Sequence, residues 1–235
     1  MLTFNALGLS PNLLRGIEEL GFNKPTPIQE KVIPSIFNST KDLIGLAQTG
    51  TGKTAAFGLP LMDLTDPEKN NVQTLVLSPT RELCVQITKD LQTYSKHMGN
   101  INIVPVYGGA SMDTQIRALK KGAHIIVATP GRMIDLIKRK AAKIDAIETV
   151  VLDEADEMLN MGFREELDEI LKTTPATKRT LLFSATMSSE VARIAKNYLN
   201  DPEKITIGKQ NAGAENIRHL YYQVHARDRY IALKR

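Results

Sequence analysis

Two short stretches of this 235-residue chain carry residue types that can do chemistry. Residues 47–54 read A-Q-T-G-T-G-K-T, close to the phosphate-cradling pattern G-x-x-x-x-G-K-[ST], with Ala47 in place of the first glycine. Gly50 and Gly52 let backbone N–H groups face phosphate oxygens, and a helix opening there adds a favourable dipole. Gln48, Thr49 and Thr51 complete the loop, Lys53 would bridge the β- and γ-phosphates, and the Thr54 hydroxyl would ligand Mg²⁺. The alternative is an ordinary glycine turn that opens a helix. The apolar run before the loop and the small and apolar residues after it are the context the phosphate reading requires. The second stretch, V-V-L-D-E-A-D at 150–156, ends an apolar run on Asp153 and Glu154. Taken alone it reads as an acidic helix start, since Asp and Glu favour the first turn. Beside a phosphate loop the pair has a use. Asp153 can hold the metal, largely through water, because Mg²⁺ keeps much of its hydration shell. Glu154 can polarise the attacking water as general base.

Such residues must be presented by a scaffold, and the sequence describes one. Short, almost continuously apolar runs recur at 42–47, 74–78, 103–107, 124–129, 149–153, 180–184 and 204–207. Runs of this kind suit strands covered on both faces. Helical patterns lie between them, clearest at 188–199, where Val191, Ile194, Ala195, Tyr198 and Leu199 share a face. The alternation predicts an α/β domain: an open, mostly parallel twisted sheet with helices on both faces. Ligands of such sheets bind beyond the carboxyl ends of the strands. The segments that directly follow apolar runs include P-T-R-E-L (79–83), T-P-G-R (129–132) and S-A-T (184–186).

Composition narrows the classes. Apolar residues make up 42% and charged residues 24%, as in a globular protein without a membrane span. The single cysteine, Cys84, cannot form an internal disulfide and sits between Leu83 and Val85, which fits a buried thiol in a reducing, cytoplasmic setting. The net charge of +4 permits a polyanionic partner without requiring one. The four histidines show no metal-like spacing.

Together, A-Q-T-G-T-G-K-T and V-L-D-E-A-D resemble motifs of the DEAD-box family of ATP-dependent RNA helicases. G-F-N-K-P-T-P-I-Q (21–29) with Phe4 upstream, P-T-R-E-L, the pair Gly108-Gly109, T-P-G-R and S-A-T extend the resemblance in order over residues 4–207. It implies a RecA-like phosphate-loop domain that uses ATP and Mg²⁺, with Lys53, Asp153 and Glu154 as catalytic residues. Gln29 would select adenine by pairing with its N6 and N7, and Phe22 or Phe4 would pack on the base. Pro79, Thr80, Arg81, Gly108, Gly109, Thr129, Pro130, Gly131 and Arg132 would meet RNA phosphates without reading sequence. For Arg81 the competing role is a helix-surface ion pair to Glu82 or Asp90. Asp156, Ser184 and Thr186 would link the nucleotide and RNA sites through hydroxyl–carboxylate hydrogen bonds, although S-A-T also suits a helix N-cap.

The expected organisation is a Q-motif region at 1–30, a RecA-like domain at 31–207, a polar linker at 208–216 and, at 217–235, the start of a truncated second RecA-like domain. That start would hold one strand at 217–225 followed by the opening of a helix. A chain lacking the second domain's arginines is expected to be monomeric, to bind adenine nucleotide weakly and to unwind nothing. Two other readings compete: an ATP-switched RNA clamp without catalysis, and a DNA-directed phosphate-loop ATPase. Intact Lys53, Asp153 and Glu154 oppose the first; Ala155 and the Gln29 segment oppose the second.

Overall fold

The computed structural model describes residues 2–208 and 221–234. The chain runs α1 (Pro11–Glu19), α2 (Pro27–Asn38), β1 (Leu43–Leu46), α3 (Lys53–Leu64), β2 (Thr74–Leu77), α4 (Arg81–Tyr94), β3 (Ile103–Val106) and α5 (Met112–Lys120). It continues through β4 (Ile125–Ala128), α6 (Pro130–Lys138), β5 (Thr149–Leu152), α7 (Ala155–Asn160), α8 (Arg164–Thr173), β6 (Arg179–Ser184), α9 (Ser189–Tyr198) and β7 (Glu203–Thr206). The strands form one seven-stranded sheet in the order β3-β4-β2-β5-β6-β1-β7. Every pairing is parallel, so the sheet is wholly rather than mostly parallel. Each apolar run became a strand, with ends moved by no more than one residue. The helix expected at 188–199 is α9, capped by Ser188, whose side chain accepts from the Val191 N–H. S-A-T therefore does not cap it.

Strand alternation divides the core in two. Val76, Ile125, Val127, Val151, Leu181 and Phe183 face the layer that holds α1 to α4. Leu75, Leu77, Ile126, Val150, Leu152 and Leu182 face α6 to α9. Because the strands are covered on both sides, they need the continuous apolar runs seen in the sequence. Cys84, on α4 in the first layer, is fully buried, its thiol directed at the Val127 carbonyl at 3.1 Å.

Positions 217–220 of the expected strand, like 209–216 of the linker, lie outside the described residues. Positions 221–225 are irregular and exposed instead of forming a strand. A strand's N–H and C=O groups need a neighbouring strand, and these residues have none among the described residues. The expected helix follows, as a 3₁₀ turn at Ala226–Asp228 and α10 (Arg229–Leu233), with no buried residue. No helix among the described residues is long and apolar enough to cross a membrane.

Candidate functional site

Parallel strands bring six of the predicted site segments to one edge, whereas Phe22 and Gln29 come from α2 and the turn before it. Neighbours β1, β6 and β5 deliver the phosphate loop, S-A-T and D-E-A-D side by side. Then β2, β4 and β3 deliver P-T-R-E-L, T-P-G-R and Gly108-Gly109.

On the first side, Gly52 adopts φ 93° as the N-cap of α3, a left-handed conformation that suits glycine. A Cβ there would collide with the Gln29 amide. Lys53, first in the helix and only 4% exposed, reaches across to β5, with its Nζ 2.9 Å from Glu154 Oε2. Thr49 Oγ1 donates to the other Glu154 oxygen at 3.3 Å. Glu154 itself holds a left-handed φ of 51° at the mouth of α7, a strained position for a residue with a side chain. Asp153 is 2% exposed and accepts from the Glu154 N–H at 3.1 Å. Burial, and then the Glu154 charge, pushes its carboxyl up to about 7, with Lys53 acting weakly the other way. A buried carboxyl with no ion pair among the described residues suits a divalent cation. Ala47, Gln48, Gly50, Thr51 and Thr54 surround this pair along the loop and the first turn of α3.

The Gln29 amide is bonded within the protein. Its Oε1 accepts from the Thr26 N–H at 2.9 Å and its Nε2 donates to the Gly52 carbonyl at 3.1 Å. The amide thus joins the start of α2 to the phosphate loop. Phe22 packs between Phe4 and Tyr94, at centroid distances of 5.9 and 6.1 Å. Phe4 is buried, so Phe22 alone of the two keeps an exposed surface.

Asp156, in the first turn of α7, accepts from both the N–H and the hydroxyl of Thr186, at 2.9 and 2.8 Å. Burial opposes its ionisation, but these bonds hold its carboxyl below the ordinary value. Ser184 lies close enough to help lower it, yet its fully buried hydroxyl makes no hydrogen bond of regular geometry. Thr186 is therefore the firm member of the expected pair.

On the second side a cleft of ≈ 540 Å³ is lined by Pro79, Thr80, Arg81, Gly108, Thr129, Gly131 and Arg132. Arg81 makes no helix-face ion pair; its guanidinium lies over Gly108 and Gly109, and a Cβ on Gly109 would collide with it. Arg132 donates to the Ala110 carbonyl at 3.1 Å, bracing the same turn from its other end. Thr80 spends its hydroxyl on the Leu83 N–H as N-cap of α4, whereas Thr129 caps α6 without a side-chain bond. Pro130 is fully buried in the first turn of α6.

The cleft has a second wall that sequence reasoning did not find: Met161, Phe163 and Asp135. The Gly162 N–H donates to Leu159 O and the Phe163 N–H to Met158 O, a turn that ends α7 and swings the chain into the cleft. Glycine after the D-E-A-D helix signalled a helix end. Its direction needed the neighbouring strands.

Fold and edge define a RecA-like phosphate-loop domain. The DEAD/DEAH box helicase model matches residues 26–194, more than half of the chain, and the protein belongs to that family. It is 49% identical over its full length to the DEAD-box ATP-dependent RNA helicase CshA of Bacillus cereus, covering 44% of that protein. It is 46% identical to the CshA of Geobacillus kaustophilus, again over the whole chain and 50% of the relative. The crystal structure of a DEAD box protein from the hyperthermophile Methanococcus jannaschii superposes with a TM-score of 0.85 at 42% identity, over 99% of this chain and 62% of that one. The chain thus spans about half the length of the curated relatives it matches.

Proposed function

We propose that this chain is the nucleotide-binding half of a cytoplasmic, ATP-dependent RNA helicase, which couples ATP hydrolysis to local opening of RNA duplexes. The Lys53–Glu154 contact carries the reading: it unites the phosphate-loop cation and the candidate base across two strand ends, beside an arginine-lined cleft. Lys53 and the N–H groups around Gly50 and Gly52 would hold the phosphates, and Gln29 with Phe22 would meet adenine. Asp153 and Thr54 would hold Mg²⁺, which supplies neutralisation of phosphate charge when bound. Glu154, released from Lys53, would take the proton of the attacking water.

RNA would lie in the cleft with its phosphates on Arg81, Arg132 and the amides of Gly108, Gly109 and Gly131, and its sugar edges on Met161 and Phe163. Contacts of this kind read backbone shape rather than sequence. A second RecA-like domain of the full-length protein would close both sites, because transition-state charge on the γ-phosphate needs arginines from another side, each typically worth about 10³–10⁵ in rate. The 235-residue chain alone is read as a monomer that hydrolyses ATP barely and separates no strands.

The test uses the full-length protein. Its ATPase should rise with single-stranded RNA and not with DNA of the same sequence, and Lys53→Ala should nearly abolish turnover. Wild-type rates in Lys53→Ala refute the phosphate-loop assignment. Equal stimulation by DNA favours the DNA-directed reading, and absence of turnover favours the clamp.

A further inference from the structure

A cleft of ≈ 580 Å³ opens on the opposite edge of the sheet, away from every residue assigned above. Three turns build it: residues 70–72 entering β2, 119–123 between α5 and β4, and 140–146 between α6 and β5. Asn71 ties two of them together, its side-chain amide donating to the Val72 and Ala146 carbonyls at 3.3 and 3.5 Å. The floor is apolar, with Val72, Ala123 and Ile126 buried there. The rim carries Lys120, Lys121, Lys140 and Lys143 against a single acid, Asp145. None of the four lysines forms an ion pair among the described residues.

Lysines often balance the negative ends of helices. That explains Lys120 in the last turn of α5, but Lys138 already stands in the last turn of α6. Lys140 and Lys143 lie beyond it. Lys140 also holds φ 55°, at the position after the helix cap where glycine is unstrained; the matching position after α5 is Gly122, at φ 98°. Lys140 shares a strained positive φ with two other charged residues, Glu154 and Asp201.

We infer that this cleft docks an acidic segment of a partner protein, with one apolar side chain on the Val72–Ile126 floor and carboxylates against Lys120, Lys121, Lys140 and Lys143. A nucleic acid fits less well. The lining has no arginine fork and no aromatic face for a base, and a phosphate chain would leave the apolar floor empty. A concave apolar seat ringed by single-sign charge is the complement of an acidic peptide with an apolar anchor. Occupancy leaves the nucleotide and RNA edge open, because the two clefts share no lining residue.

The test pans a displayed library of random dodecapeptides on the 235-residue chain and measures the recovered peptides by fluorescence anisotropy. Recovered sequences should join several Asp or Glu to one Leu, Ile, Val or Met. Lys140→Glu/Lys143→Glu should weaken them by at least about tenfold, as should serine in place of the anchor. Lys140→Gly removes the charge while relieving the backbone, so it should melt no lower than wild type and still lose affinity. No saturable peptide, peptides indifferent to these substitutions, or displacement by a uridine dodecamer that itself needs the lysines would each overturn the assignment.

Discussion

Replacing Glu154 by Gln tests whether its contact with Lys53 competes with nucleotide. Nζ and Oε2 lie 2.9 Å apart with 4% and 15% of the two side chains exposed, so solvent screens the pair weakly. Lys53 stays charged opposite either side chain, so both bonds fall in the range of about 1.5–3 kcal/mol for charged groups, the ion pair toward its upper end and the amide toward its lower. Gln keeps the shape and leaves an amide oxygen for Lys53, so the hold on the ammonium should weaken by about 1–1.5 kcal/mol. Phosphates that draw Lys53 away then meet that much less resistance, which corresponds to roughly 5–10-fold tighter binding. The assay is a titration with a fluorescent ADP analogue in wild type, Glu154→Gln, Lys53→Met and the double variant. The gain should vanish when residue 53 is Met. Unchanged or weaker binding by Glu154→Gln refutes the competition. A gain of the same size in the Lys53→Met background does so too, since it would then come from general charge removal. Turnover of the full-length variant should meanwhile fall by about 10²–10⁴, the usual contribution of a general base.

Gln29→Ala removes the bonds to Thr26 and Gly52, so urea unfolding should show a loss of about 1–3 kcal/mol. Competition binding should show weaker preference for ATP over GTP; unchanged selectivity moves adenine recognition elsewhere. Thr186→Val deletes the hydroxyl bond to Asp156 and keeps the N–H bond. Nucleotide affinity should hold while RNA stimulation of the full-length ATPase drops, and full stimulation would remove Thr186 from the link. Met161→Glu sets a like charge against the RNA backbone, so affinity for a short uridine strand should fall about fivefold or more with ADP binding intact. Burial raises the Cys84 thiol to about 12 from 9.0, which suppresses the reactive thiolate throughout the accessible pH range. At pH 8 the native chain should react with iodoacetamide about 10³-fold more slowly than an ordinary thiol, with the rate climbing as pH rises toward that value. Ordinary reactivity without urea would contradict the burial.

The strands were legible because a parallel sheet covered on both faces leaves no polar face to confuse the period. The strands ending at Leu46, Leu77, Ala128 and Leu152 each stop within a residue of a candidate site segment. What the sequence could not convey was direction across the sheet. Arg81 lies on the Gly108-Gly109 turn only because β4 alone separates β2 from β3. The inward turn of Gln29 depends on Gly52, which is 23 positions away in the chain. Met161 and Phe163 reach the arginine-lined cleft through a turn whose sign, Gly162, was visible and whose destination was not. The strand expected at 217–225 failed where described for the opposite reason: local propensity was present without a neighbour to accept its hydrogen bonds.

Helix α7 touches both halves of this edge. It has six residues, about 9 Å at 1.5 Å each. Its N-cap, Glu154, touches Lys53 of the phosphate loop. Its second residue, Asp156, is fixed twice to Thr186 at the end of β6. Its far end turns through Gly162 to set Met161 and Phe163 on the wall facing Arg81 and Arg132. Met158 and Leu159 are buried in the core beneath it, so the helix cannot rotate without breaking packing. A displacement of Glu154 that frees Lys53 therefore acts on a body anchored by Asp156 and ending in the cleft. With only two turns between the ends, little flexibility is available to absorb it.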